Sequence, residues 1–125
     1  MLRIQELLAK NKISLKNAKI LVLGVTYKRN ILDLRKSPSL DIIEFMQQKK
    51  IDVAYYDPLV PYLKIGRIDL KSIELTKANL VKFDCVAVIA DHSGLDYQFI
   101  LKYSRLIFDA RNIYKGKPDK KIHKI

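Results

Sequence analysis

The sequence predicts an α/β fold, with an open parallel sheet of about four to six strands and helices on both faces. Three observations carry that prediction. Ile20 to Leu23, Cys85 to Ala90 and Leu106 to Phe108 are unbroken apolar runs, the pattern of strands buried on both sides. Amphipathic helical segments lie between such runs, so that strand and helix alternate. The stretch Lys19–Pro38, KILVLGVTYKRNILDLRKSP, passes from strand to glycine to cationic turn to helix start, the order of a phosphate-binding βα unit.

Leu2, Ile4, Leu7 and Leu8 fall at helical spacing around Gln5, Glu6 and Lys10, giving a short amphipathic helix that needs a partner surface. Asn11 to Asn17 breaks it, and Lys19 to Leu23 is the first strand. Ser37 is placed to cap the next helix, and Pro38 to take its first position, where a missing N–H costs nothing. Leu40, Ile42, Ile43, Phe45 and Met46 form the apolar stripe of that helix. Asp41 and Glu44 lie toward its start and Lys49-Lys50 at its end, each where the helix dipole favours the charge.

Asp52 to Tyr56 is the second strand, stopped by Asp57-Pro58. In residues 59 to 75, Pro61 and Gly66 argue for loop, with a short strand around Ile73 to Leu75. Thr76 caps a short helix through Lys82. Cys85 to Ala90 is the third strand, followed by the turn Asp91-His92-Ser93-Gly94. Asp96 starts a helix carrying Phe99, Ile100 and Tyr103 on one face, and Leu106 to Phe108 is the fourth strand, ending at Asp109-Ala110-Arg111-Asn112. The expected whole is a Rossmann-like three-layer sandwich. Residues 1–12 form a helical lead-in, 13–114 the folded domain and 115–125 a frayed basic tail.

A chain of 125 residues makes one domain with one core. Its net charge of +11 suits an anionic partner such as a nucleotide, a nucleic acid or an acidic surface, or else describes a lysine-rich solvated face. One cysteine excludes an internal disulfide and a cysteine-rich metal site, and fits a reducing compartment. Neither of the two histidines has a second His or a Cys near it in sequence, so no metal site is expected. No apolar run approaches the roughly 18 residues of a membrane span, and Met1-Leu2-Arg3 leads into an amphipathic segment instead of a signal peptide. The chain reads as soluble and cytoplasmic, without a membrane partner.

Ligands of an open parallel sheet bind beyond the carboxyl ends of its strands. Four loops fall there: Val25 to Lys36, Asp57 to Pro61, Asp91 to Asp96 and Ala110 to Asn112. They hold Lys28, Arg29, Asp33, Arg35, Asp57, Asp91, His92 and Arg111. The cations among them suit a dianion such as a pyrophosphate. Alternatively, Arg35 and Arg111 pair with Asp33 and Asp109 to brace the loops. A dinucleotide is disfavoured, because Gly24-Val25-Thr26-Tyr27 has one glycine where the dinucleotide fingerprint needs three. Cys85 opens an apolar strand beside Asp84 with no basic neighbour, which makes it a core thiol and not a nucleophile. Asp91-His92-Ser93 are adjacent on a turn, whereas triads are assembled from separated segments, so a capping role is preferred. No catalytic residue is expected. Tyr55 and Tyr56 point to opposite faces, so at most one reaches a ligand.

Gly24-Val25-Thr26-Tyr27-Lys28-Arg29-Asn30, Asp33-Leu34-Arg35-Lys36-Ser37-Pro38 and Tyr56-Asp57-Pro58-Leu59-Val60-Pro61 closely resemble the C-terminal domain of the UDP-glucose/GDP-mannose dehydrogenase family. Asp91-His92-Ser93 with Asp96-Tyr97, and Asp109-Ala110-Arg111-Asn112, complete the resemblance in the same order, over about residues 13 to 114. Enzymes of this family oxidise the C6 alcohol of a nucleotide sugar to a carboxylate in two NAD-dependent steps through a covalent cysteine intermediate. They consist of an NAD domain, a central helical dimerisation region and this C-terminal domain, which binds the UDP part.

The resemblance implies UDP contacts from Tyr27, Lys28 and Arg111. Arg35 is a further candidate, the alternative being that it holds the loop and the helix start together. The DHS…DY and D-x-R-N forms are most like the UDP-N-acetylhexosamine 6-dehydrogenases. The NAD glycine motif, the catalytic cysteine segment and the central helices are absent from this sequence, so Cys85 inherits no catalytic role. The implied function is UDP-sugar binding without oxidation by the chain alone, as a domain, a truncation or a free-standing relative. NAD then belongs to the full-length enzyme, and the partners are a UDP-sugar and the NAD-binding and helical domains, with homodimer formation left open. The competing expectations are a vestigial interaction domain docking on a dehydrogenase subunit, a UDP-glucose 6-dehydrogenase domain and, least of all, nucleic-acid binding, for which no module is present.

Overall fold

A computed structural model describes residues 2–13, 17–26, 37–116 and 119–124. Five strands, β1 (Lys19–Leu23), β2 (Asp52–Tyr56), β5 (Cys85–Val88), β6 (Ile107–Asp109) and β7 (Ile122–Lys124), form one sheet in the order β2-β1-β5-β6-β7. Every pair in it is parallel, with Ile20 opposite Val53 on one side and Cys85 on the other. The expected α/β parallel sheet is therefore present, at five strands.

Both faces of the sheet are covered, which explains the unbroken apolar strands. Along β1 the side chains alternate between two cores: Ile20 and Val22 enter one, Leu21 and Leu23 the other, and all four are fully buried. The first core receives Leu7 and Leu8 from α1 (Leu2–Lys10) and Ile42, Ile43 and Met46 from α2 (Pro38–Gln48). The second receives Leu80 from α3 (Lys77–Leu80) and Ile100 from α4 (Tyr97–Tyr103), with Tyr114 beside them. Cys85 lies in the first core with no exposure, and burial pushes its thiol up to about 12, as fits a packing residue.

The helix starts form as their sequences direct. Ser37 is extended, its side chain accepts the Ser39 N–H at 3.3 Å, and Pro38 takes the first turn of α2. Thr76 accepts the Asn79 N–H at 3.1 Å, and Asp96 accepts the Phe99 N–H at 3.0 Å. Leu40 and Phe45 are only partly buried, so the α2 stripe is narrower than its sequence suggested.

Two segments depart from expectation. The region 59–75 contains a β-hairpin, β3 (Tyr62–Ile65) and β4 (Ile68–Lys71), and no strand at Ile73–Leu75. Ile65 pairs with Ile68 across the two-residue turn Gly66-Arg67, and Gly66 has φ +58°. Leu63 and Ile68 point into the first core, whereas Ile73 donates its N–H to Tyr55 O beside β2. The basic tail, expected to fray, instead supplies β7. Ile107 N–H donates to Lys121 O at 2.8 Å, and Lys121 Nζ donates to the last carbonyls of α4, Leu101 O at 2.9 Å and Lys102 O at 3.2 Å. Backbone pairing and that lysine cap offset the weak hydrophobicity of the segment.

Candidate functional site

β1 stands between β2 and β5, so the connections leaving β1 and β5 diverge to opposite sides of the sheet. The crevice between them at the carboxyl edge is the topological switch point, where open parallel sheets bind ligands. Gly24 opens this crevice. Its φ is +85°, its N–H donates to Tyr56 O at 2.9 Å, and its Cβ-free face lies against Ala90. Ile89 and Ala90 donate back to Leu23 O at 3.0 and 3.2 Å, joining the first turns of the two loops. Ser39 Oγ, from the first turn of α2, donates to Gly24 O. The glycine is thus required by close backbone approach.

Asp57, at the end of β2, is the hub of this edge. One carboxylate oxygen accepts Val25 N–H at 2.8 Å and Thr26 N–H at 3.4 Å, and lies 3.0 Å from His92 Nε2. The other accepts Leu59 N–H at 2.8 Å. Asp57, Thr26 and His92 are each at most 2% exposed, so protein donors stand in for water around the carboxylate. The same His92 nitrogen lies 3.1 Å from Thr26 Oγ1.

A second network ties the β5–α4 loop to the loop after β6. Tyr97 OH donates to Asp91 Oδ1 at 3.0 Å and accepts His92 N–H at 3.1 Å. Tyr114 OH donates to Tyr97 O at 2.7 Å, and the two rings meet edge to face at 6.2 Å. Burial, then the charge of Asp109, pushes the Tyr114 hydroxyl well above its usual range. Asp109 accepts the backbone N–H groups of Arg111, Ile113 and Tyr114 at 3.2, 3.0 and 3.0 Å. Asn112, held at φ +58°, completes the turn.

Of the sequence-predicted contacts, Arg111 sits on this carboxyl-edge loop with its side chain exposed. The alternative in which Arg111 pairs with Asp109 is corrected: among the described residues Asp109 braces the loop through backbone N–H groups, with no Arg111–Asp109 ion pair. Tyr27, Lys28 and Arg35, with Arg29 and Asp33, lie outside the described residues. The capping role preferred for Asp91-His92-Ser93 misses the main feature, since His92 is buried against Asp57 and Thr26 from two other loops. Their placement at strand ends was the available signal for this junction. Tyr55 is a core residue: its OH donates to Val60 O at 2.7 Å, and burial pushes it up to about 12. Among the described residues no group of three or more His, Cys, Asp or Glu is arranged to hold a metal, and no helix is long and apolar enough to cross a membrane.

Fold and edge together define a Rossmann-like α/β domain whose strand order reverses between β1 and β5. Residues 21–116 match the UDP binding domain of the UDP-glucose/GDP-mannose dehydrogenase family, and the chain belongs to that family. It is 35% identical over 109 residues to a UDP-N-acetyl-D-mannosamine dehydrogenase of Methanococcus vannielii, covering 81% of this chain and 24% of that protein. It is 32% identical over 123 residues to a UDP-glucose 6-dehydrogenase of Rickettsia felis, covering 86% of this chain and 26% of that protein. The solved structure of the UDP-D-ManNAc dehydrogenase of Pyrococcus horikoshii superposes with a TM-score of 0.74 at 27% identity, covering 98% of this chain and 28% of that one. The chain thus spans about a quarter of the length of these relatives.

Proposed function

We propose that the chain binds the UDP part of a nucleotide sugar for an NAD-dependent 6-dehydrogenase acting on UDP-N-acetylmannosamine or UDP-N-acetylglucosamine, and oxidises nothing by itself. The observation that carries this reading is that the loops after β1, β2, β5 and β6 all leave the same carboxyl edge of the parallel sheet, with Arg111 exposed on the last of them. Lys28 and Arg111 meet the pyrophosphate, since guanidinium and ammonium groups pair with phosphate oxygens. Tyr27 contacts the nucleotide, and Arg35 supports the diphosphate or the helix start. Residues 13–114 form the binding unit in this reading.

NAD is held elsewhere in the enzyme. The one fingerprint glycine, Gly24, has its open face filled by Ala90, and Val25 and Thr26 follow it with buried side chains. Thr26 stands where the fingerprint places its second glycine, the position that must be bare for close backbone approach of a pyrophosphate. The likeness to the Rickettsia felis enzyme supports UDP-glucose as the second candidate sugar.

Calorimetric titration with UDP, UDP-N-acetylmannosamine, UDP-N-acetylglucosamine, UDP-glucose and NAD tests the reading. UDP binds and NAD does not; Lys28→Ala and Arg111→Ala each weaken UDP about 10- to 100-fold, as loss of a charged hydrogen bond entails. A folded chain that ignores UDP refutes the proposal and favours a docking role.

A further inference from the structure

The Asp57 carboxylate gathers donors from three loops that chain order keeps apart. It fixes two successive backbone N–H groups, Val25 and Thr26, and Thr26 immediately precedes the segment bearing Tyr27, Lys28 and Arg35. His92 closes the junction from the β5–α4 loop. Its Nε2 lies 3.0 Å from Asp57 Oδ2 and 3.1 Å from Thr26 Oγ1, so one ring nitrogen faces both. Asp57, Thr26 and His92 together clamp the first turn after β1 to the ends of β2 and β5.

We propose that Asp57 and His92 are positioning residues for nucleoside diphosphate binding. Their buried pair holds the backbone at Val25–Thr26 and so sets where the Tyr27–Lys28 segment begins relative to the β5–α4 loop. This rests on the reading that the segment contacts UDP. A ligand then meets a loop already fixed at its root, and less ordering opposes binding. The clamp acts through the loop and touches no ligand atom itself.

The test compares His92→Leu with His92→Gln, whose side-chain amide keeps an N–H donor for Asp57. UDP is titrated calorimetrically into the full chain near about 10 °C, where folded proteins approach maximal stability. His92→Leu weakens UDP about tenfold, and His92→Gln stays within about threefold of the unsubstituted chain. Amide hydrogen exchange of Val25 and Thr26 accelerates in His92→Leu and recovers in His92→Gln, while Ile20 to Leu23 hold their protection. A merely structural role would lower the melting temperature and leave the affinity of the folded protein unchanged. If His92→Leu fails to fold, His92→Asn, too short to reach Asp57, supplies the same comparison.

Equal UDP affinity in folded His92→Leu, or in His92→Asn when that variant is used, overturns the proposal while the UDP reading stands. An unsubstituted chain that binds no UDP overturns both, and is distinguished by its flat titration.

Discussion

Replacing Gly24 with alanine places a Cβ 2.5 Å from Ala90 Cβ, 2.6 Å from Ala90 O and 2.9 Å from Ala90 Cα. Two of those three contacts are with backbone, which cannot rotate away. The φ of +85° adds roughly 1–2 kcal/mol for any L side chain, and forcing one carbon into a packed contact adds about 1–3 kcal/mol. Reduced freedom of the unfolded chain returns about 0.4–1 kcal/mol. The expected net loss is about 2–4 kcal/mol. With a urea slope of about 2 kcal/mol/M for a protein of this size, the midpoint falls by about 1–2 M. The double variant Gly24→Ala/Ala90→Gly removes only the Cβ–Cβ contact and recovers less than half of the loss. A Gly24→Ala midpoint within about 0.3 M of the unsubstituted chain refutes the close approach of the β1 and β5 loops, and full rescue by Ala90→Gly refutes the backbone part of it.

Arg111→Ala leaves the urea midpoint within the roughly 0.5 kcal/mol typical of surface substitutions while weakening UDP binding; a large stability loss would instead mark Arg111 as a loop brace. Burial raises Cys85 from 9.0 and Tyr55 from 10.0 to about 12 each, and raises Tyr114 as well, so the folded state favours their neutral forms. Their contribution to stability is full below pH 9.0 and is lost as pH rises toward 12, so the urea midpoint declines on the alkaline side; a midpoint flat to about pH 11 contradicts that burial. Ending the chain after Gly116 removes the β7 ladder and the Lys121 cap on α4, at about 1 kcal/mol per bond lost and about 2–4 kcal/mol altogether. Hydrogen exchange at Ile107 then accelerates, and an unchanged Ile107 rate counts against β7 as part of the sheet.

The sheet's interior strands were legible because doubly buried strands have no alternative reading: β1, β2 and β5 lie where apolar runs and turn residues put them. The capped helices were legible for a local reason, since Ser37, Thr76 and Asp96 each satisfy an N–H two or three residues away. The β3–β4 hairpin was hidden by its exposure. Tyr62, Lys64, Ile65 and Asp69 face outward, and only the Gly66-Arg67 turn between two isoleucines announced it. β7 was hidden by the lysines in and before it, because an edge strand is held by backbone bonds that composition does not record. The same limit applies at the site. That Arg111 lies on the loop after β6 could be read from the sequence, whereas the Asp57–His92–Thr26 junction joins residues far apart in sequence whose partnership only the fold creates.

The central place of β1 also governs assembly in time. It precedes the other strands of the sheet in sequence, yet its two neighbours are β2 and β5, and its register with Cys85 to Val88 cannot form before β5 has been synthesised. Until then one edge of a strand with four apolar residues, Ile20 to Leu23, is unpaired, and the Asp57 carboxylate lacks its histidine. Such non-local parallel pairing is slow, and it leaves aggregation-prone edges open meanwhile. The nascent chain is therefore expected to be most vulnerable between emergence of β2 and emergence of β5, with closure of the ligand crevice among the last events of folding.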